Sequence, residues 1–137
     1  MFRKIMVPVD LAHEARMADA LAEAAILAEA HDAEIVHVGV TAIEPGPLAH
    51  NPAEYAARLT AFSEAQAERT GRPCSTHVVV SHDPAVDLSE KLLAAIEETG
   101  ADLVVMATHR PGLIEHVFAS HGGHVAAHAP VSVMLVR

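Results

Sequence analysis

A chain of 137 residues, 51% of them apolar, is long enough for one domain with a sizeable core and too apolar to be disordered. Nine Lys and Arg against eighteen Asp and Glu leave a formal charge of -9, which argues against a general nucleic-acid binder, since that needs a basic face to displace counterions. No apolar run approaches the length of a bilayer span, and Met1-Phe2-Arg3-Lys4 leads straight into a strand-like run without a signal-type segment, so a cytoplasmic protein without membrane insertion is expected. The single cysteine, Cys74, precludes an internal disulfide and reads as a small residue at a strand start. The eleven histidines read as a compositional bias.

Ile5-Met6-Val7-Pro8-Val9 is a buried strand ending at Asp10. A proline is tolerated there if its missing N–H faces no partner. The Ala-, Leu- and Glu-rich stretch from Glu14 to Ala30 predicts a helix with Ala18, Leu21, Ala25 and Ala28 as its apolar stripe. Glu34 to Val40 is a second strand, and Pro45-Gly46-Pro47 breaks the chain after it. Pro52 suits the first turn of a helix running to Arg69, with Tyr55, Leu59 and Phe62 on one face and Thr70-Gly71-Arg72-Pro73 as its stop.

Thr76 to Val80 is the third strand. His82-Asp83-Pro84 opens a helix bearing Val86, Leu88, Leu92, Leu93 and Ile96, which stops at Gly100. Leu103 to Met106 is a fourth strand that breaks at Ala107-Thr108-His109-Arg110-Pro111-Gly112. After Ala119-Ser120 comes a helix-length segment, then Ala129-Pro130 and a last strand from Val131 to Val136. Strands this apolar, alternating with helices, predict a doubly wound, Rossmann-like sheet of five parallel strands with helices on both faces, in one domain spanning residues 1–137. Ligands of such sheets sit at the carboxyl ends of the strands, where a helix N-terminus favours anions.

Several pieces together resemble the universal stress protein family over essentially the whole chain: Ile5 to Asp10, His37-Val38, Asp83-Pro84, Ala101 to Met106 with Thr108-His109-Arg110, and His128 to Val133. The resemblance implies an adenine nucleotide α-hydrolase-like fold and a stress-responsive regulatory protein. In the family the loop after the fourth strand usually reads Gly-x-x-Gly, nine residues, then Gly-Ser or Gly-Thr, and ATP binds there. Glycines let backbone amides close on phosphates as an anion nest. Here Ala107, Arg110 and Ala119-Ser120 stand at those places, with a spacer one residue shorter and all three glycines replaced. A branch of the family carries His-Arg-Pro at this loop, as His109-Arg110-Pro111 does here.

By that resemblance the nucleotide site comprises Pro8, Val9, Asp10, Val38, Met106, Ala107, His109, Arg110, Ala119, Ser120 and His121, and its ligand is ATP, with Mg2+ as a possible companion. Asp10 would contact the ribose, the Val38 backbone the adenine, Pro8 the base pocket and Ser120 a phosphate. His109 and Arg110 would replace glycine amides by charged donors, Arg110 being suited to bidentate phosphate contact. Plainer readings stand beside these. Asp10 caps the first helix or turn, Ser120 is an N-cap or early helix residue, Arg110 is a solvated cation, and Val38 and Pro8 are core.

His124 and His128 lie four apart and His121 three before, so two or three share a helical face. Zinc sites use such spacing, but a closed site needs further ligands and no Cys or Glu partner is placed, so no metal site is assigned. His128 is expected to pack near the start of the last strand and His121 near the phosphate mouth.

Receiver domains share the fold but need an acidic partner beside Asp10, an aspartate ending the third strand and a lysine ending the fifth. Here there are Ser81-His82 and no lysine. Flavodoxins want a Ser/Thr-rich loop where Leu11-Ala12-His13 stands, and no P-loop, GxGxxG or nucleophile elbow occurs. No catalytic residue is assigned, which leaves at most slow ATP hydrolysis. The alternative function is a protein–protein regulatory dimer that has lost nucleotide, with an unidentified regulatory partner. The apolar run Val131 to Val136 predicts an edge that pairs with a second copy, a twofold homodimer.

Overall fold

The computed structural model describes residues 1–108 and 117–137, those at 117–120 by their backbone alone. Strands β1 (Lys4–Pro8), β2 (Glu34–Ala42), β3 (Cys74–Ser81), β4 (Leu103–Ala107) and β5 (Ser132–Val136) alternate with helices α1 (Ala18–His31), α2 (Pro52–Thr70), α3 (Pro84–Thr99) and α4 (Val117–His128). The strands form one parallel sheet in the order β3-β2-β1-β4-β5. Chain order runs outward from β1 to β3, then crosses back to β4 and outward to β5. The topological switch point therefore lies between β1 and β4.

Alternation along β1 and β2 sorts side chains to the two faces. Ile5, Val7, Val9 and Ile35 meet α1 and α2 through Leu21, Ala24, Ala28, Tyr55 and Leu59. Met6, Val36 and Val38 meet α3 and α4 through Leu88, Leu92, Ile96 and Val125. The expected sheet covered on both faces is what the chain forms. No helix among the described residues is long and apolar enough to cross a membrane.

Helix ends follow their local chemistry. Asn51 accepts the Glu54 N–H at 2.8 Å ahead of Pro52, and Gly71 and Gly100 end α2 and α3 at φ 70° and 72°, a left-handed backbone that a Cβ disfavours. At the sheet's amino end the Asp102 carboxylate accepts the Arg3 N–H at 2.9 Å and the Lys4 N–H at 3.1 Å, while Asp102 N–H donates to the Lys4 carbonyl at 3.0 Å. This clamp sets β1 against β4, so Asp102 has a structural account.

Three expectations are corrected. The helix expected from Glu14 starts as a 3-10 run, Leu11–Met17, and becomes α-helical only at Ala18, because Asp10 holds the chain in a tight turn there. The stripe of α1 is Ala20, Leu21, Ala24 and Ala28, with Ala18 exposed and Ala25 half-buried; among so many alanines, periodicity leaves the phase open. Val86, expected on the apolar face of α3, is exposed, and Ser89 is buried instead.

Candidate functional site at the switch point

Backbone polarity decides where the sheet opens. In a parallel strand alternate residues aim their N–H and C=O to opposite neighbours. Val9 N–H donates to the Val38 carbonyl at 2.8 Å, so odd residues of β1 face β2. The Lys4 carbonyl faces Asp102, so even residues face β4. Pro8 is even, and its missing N–H falls on the β4 side. Pairing of β1 with β2 runs through to Pro8↔Val38, whereas pairing with β4 is confined to Ile5↔Leu103 and Met6↔Val104. The ladder between the two central strands therefore stops short of their carboxyl ends at the switch point, the place where open α/β sheets have their ligand crevice. The missing N–H of Pro8 thus falls where the β1–β4 ladder ends.

Asp10 stands at the end of β1, at the mouth of this crevice. One carboxylate oxygen accepts the Ala12 N–H at 3.1 Å, and the other meets His13 Nδ1 at 2.9 Å. The Asp10 N–H points to Met17 Sδ at 3.1 Å. Asp10 is thus the cap of the 3-10 turn, the plainer of its two readings. Each oxygen keeps acceptor capacity beyond its one partner. An acceptor-only carboxylate suits a sugar hydroxyl and repels a phosphate, so the residue fits a ribose contact and not a phosphate one.

Val38 is fully buried, and its carbonyl is engaged by Val9. Met106 is buried and Ala107 half-buried at the end of β4, and Thr108 N–H donates to the Val136 carbonyl at 2.8 Å, carrying the β4–β5 pairing one step further. His121, in α4, bonds through Nδ1 to the Ser89 hydroxyl of α3. Ala119 and Ser120 lie in the first turn of α4, on the carboxyl side of β4. His109 and Arg110 lie outside the described residues. The sheet thus brings together Pro8, Val9, Asp10 and Val38 directly, with Met106 and Ala107 across the switch point.

Two neighbours of this end, Tyr55 and His37, stood in the sequence only as a helix-face residue and part of a strand motif, not as candidate site residues. Tyr55 of α2 is buried over Gly39, where a Cβ would come within 2.7 Å of its ring. Burial first, and the charge of Asp10 second, push the Tyr55 hydroxyl above its usual range, so it stays a neutral phenol within electrostatic reach of Asp10. A lone aromatic on a helix face reads as core, and only a glycine two residues after His37 hinted at a close approach. Beneath it, His37 is buried with Nδ1 2.8 Å from the Ser63 hydroxyl, which lies 3.3 Å from the Ser75 carbonyl. Desolvation lowers His37 from 6.5 to about 4, so it is neutral at physiological pH.

Cys74 and His128 lie apart from the crevice. Burial raises the Cys74 thiol against the opposing influence of Arg72, which makes it a weak nucleophile. His128 corrects an expectation. It does not pack against the start of β5 but is exposed and turned back on its own helix. A shallow groove lined by Met1, Phe2, Asp102 and Pro130 lies at the amino ends of the strands, opposite the crevice.

Strand order, two-sided helical cover and a crevice at the switch point define the Rossmann-like, adenine nucleotide α-hydrolase-like class of fold. The universal stress protein family model matches residues 1–137, and the chain belongs to that family. Universal stress protein G of Shigella flexneri is 26% identical over 147 aligned positions that cover 100% of both chains. A universal stress protein family structure from Burkholderia pseudomallei matches with a TM-score of 0.69 at 25% identity, over 97% of this chain and 94% of that one. A universal stress protein of Archaeoglobus fulgidus in complex with dAMP matches with a TM-score of 0.70 at 18% identity, over 98% of each chain.

Proposed function

We propose that this protein is a stress-responsive regulatory module that binds an adenine nucleotide, ATP in particular, in the crevice between β1 and β4. The observation that carries the reading is the end of the β1–β4 ladder ahead of Pro8, at the switch point, with Asp10 just beyond it at the carboxyl end of β1. Open α/β sheets take their ligands at such a place. Similarly folded universal stress proteins are bound to dAMP, to cAMP and, from Arabidopsis thaliana, to AMP, which supports an adenine nucleotide as the ligand class.

In this reading Asp10 accepts from the ribose and Pro8 and Val38 border the base. The first turn of α4, with Ser120, faces the phosphates, and His109 and Arg110 supply cationic donors in place of glycine amides. Mg2+ accompanies ATP through phosphate oxygens and water, as this ion usually does. Asp10 and His13 stand at the ribose end and no general base is assigned beside the phosphates, so in this reading binding energy biases a conformational or assembly state and does not drive fast turnover.

The assembly is a homodimer through β5. That strand ends the sheet, with Met134 and Leu135 at 38% and 36% exposure, and its outer edge has no strand partner within the chain among the described residues. An apolar edge of this kind pairs with another copy. The same edge is what a purely protein-binding regulatory dimer would use, and the nucleotide titration separates the two readings. Calorimetric titration of ATP and Mg2+ into the protein is expected to give micromolar binding that Asp10→Ala abolishes. Absence of heat and of a thermal shift at millimolar ATP would sink the nucleotide reading and leave the dimer.

A further inference from the structure

Away from the crevice, the last turns of α4 carry a separate arrangement. His124 and His128 are both exposed, and their rings are stacked, with centroids 4.2 Å apart and planes inclined by 22°. Spacing of four residues only places two side chains on one helical face. The stacking adds that the ring edges lie side by side instead of splaying apart.

The protonation of one ring is fixed by its neighbour. His128 Nδ1 lies 2.9 Å from the His124 carbonyl oxygen. A carbonyl oxygen only accepts, so Nδ1 carries the hydrogen and the lone pair of the neutral ring sits on Nε2. A metal-binding imidazole is commonly prepared in this way, with one N–H given to a backbone carbonyl and the other nitrogen left as ligand. The His124 ring makes no hydrogen bond or ion pair among the described residues.

We propose that His124 and His128 form a two-histidine chelate for a late first-row divalent ion, Zn2+ or Cu2+, on the outer face of α4. Imidazole suits these ions, whereas Mg2+ and Ca2+ want oxygen ligands. Two nitrogens bound to one tetrahedral ion stand about 3.3 Å apart. Rings with centroids 4.2 Å apart stand close to that separation, and rotation of the two side chains turns their Nε2 lone pairs toward one ion. The formal charge of -9 adds a general attraction for cations.

No group of three or more His, Cys, Asp or Glu converges on a metal position among the described residues, so water completes the coordination shell. This is an exposed, open chelate and not a closed structural zinc site, which is why the sequence rule that demanded four ligands passed over it. Tying together two successive turns, the ion also stabilises the carboxyl end of α4 by binding the native helix and not the unfolded chain. The proposal does not depend on the nucleotide reading.

The test is titration of ZnCl2 and of CuCl2 into the full chain, freed of metal by a chelator and its removal. Calorimetry and the histidine ring signals in NMR serve as readouts. One equivalent is expected, with the ring signals of His124 and His128 shifted by Zn2+ and broadened by Cu2+. His124→Ala and His128→Ala each weaken binding about 100-fold, the loss expected when a chelate becomes a single contact. His50→Ala, an exposed histidine remote in sequence, leaves the affinity unchanged. Both α4 variants keep the metal-free melting midpoint, because the rings they remove are exposed. Unchanged affinity in either α4 variant, or ring signals that respond only elsewhere, overturns the proposal.

Discussion

Gly39 has no side chain because the Tyr55 ring occupies the space a Cβ would take, with Cε1 2.7 Å from that point. The tyrosine is buried, and the contact ties α2 to β2 near its carboxyl end. Gly39→Ala is expected to cost about 1–3 kcal/mol, the range for overpacking a close-packed core. In the Tyr55→Leu background the same substitution costs less, and the coupling between the two, read from denaturant unfolding, measures the packing conflict. Equal costs in both backgrounds would refute the contact.

The buried His37 makes stability depend on pH in a definite sense. Its folded value is lowered to about 4 from 6.5, so between these values the unfolded chain holds the extra proton. Stability from this group is complete above pH 6.5 and falls as acid is added, by about 1.4 kcal/mol per pH unit, levelling off near pH 4. The full swing is roughly 3 kcal/mol. Since other histidines titrate too, the check is a difference. The His37→Gln variant loses less stability than the native protein between pH 7 and pH 4.5, and parallel curves for the two would contradict the account.

Asp10 serves the fold as a cap whether or not it serves a ligand. Asp10→Ala is expected to cost about 1 kcal/mol of stability, as well as the nucleotide affinity proposed above. Asp10→Ser keeps a capping oxygen and restores most of the stability, while a neutral hydroxyl recovers ribose contact only in part. Stability measured without nucleotide and affinity measured by titration therefore move separately across the two variants.

A charge on the outer strand tests the assembly. Size-exclusion with light scattering is expected to give a dimer for the native chain and a monomer for Leu135→Lys, because a lysine on an edge strand resists pairing. A native monomer at micromolar concentration would remove the β5 interface.

At the amino end, Asp102→Ala strips the acceptor from the Arg3 and Lys4 amides. The expected loss is about 1–3 kcal/mol in denaturant unfolding, since the carboxylate accepts from both amides. The crevice lies at the opposite ends of the strands, so nucleotide affinity should be unaffected.

The sequence by itself determined the element order, the parallel sheet and the two-sided cover, because continuous apolar strands alternating with Pro-started and Gly-stopped helices admit few other arrangements. Pro8 and Asp10 were also legible as residues of interest through the family resemblance, and the α4 histidines through their spacing. Tertiary structure decided what each of them does. Whether the missing N–H of Pro8 faced β2 or β4 depended on strand order, which no local pattern encodes, and that choice is what ends the β1–β4 ladder at the switch point. Ser63 and Ser89 were invisible to hydrophobic counting, because a buried hydroxyl is recognisable only once its partners, His37 and His121, arrive from other elements. The face of α1 needed the sheet beneath it, since in an alanine-rich helix burial is set by what the helix lands on. Local periodicity carries the elements, and the pairing of groups distant along the chain carries the site.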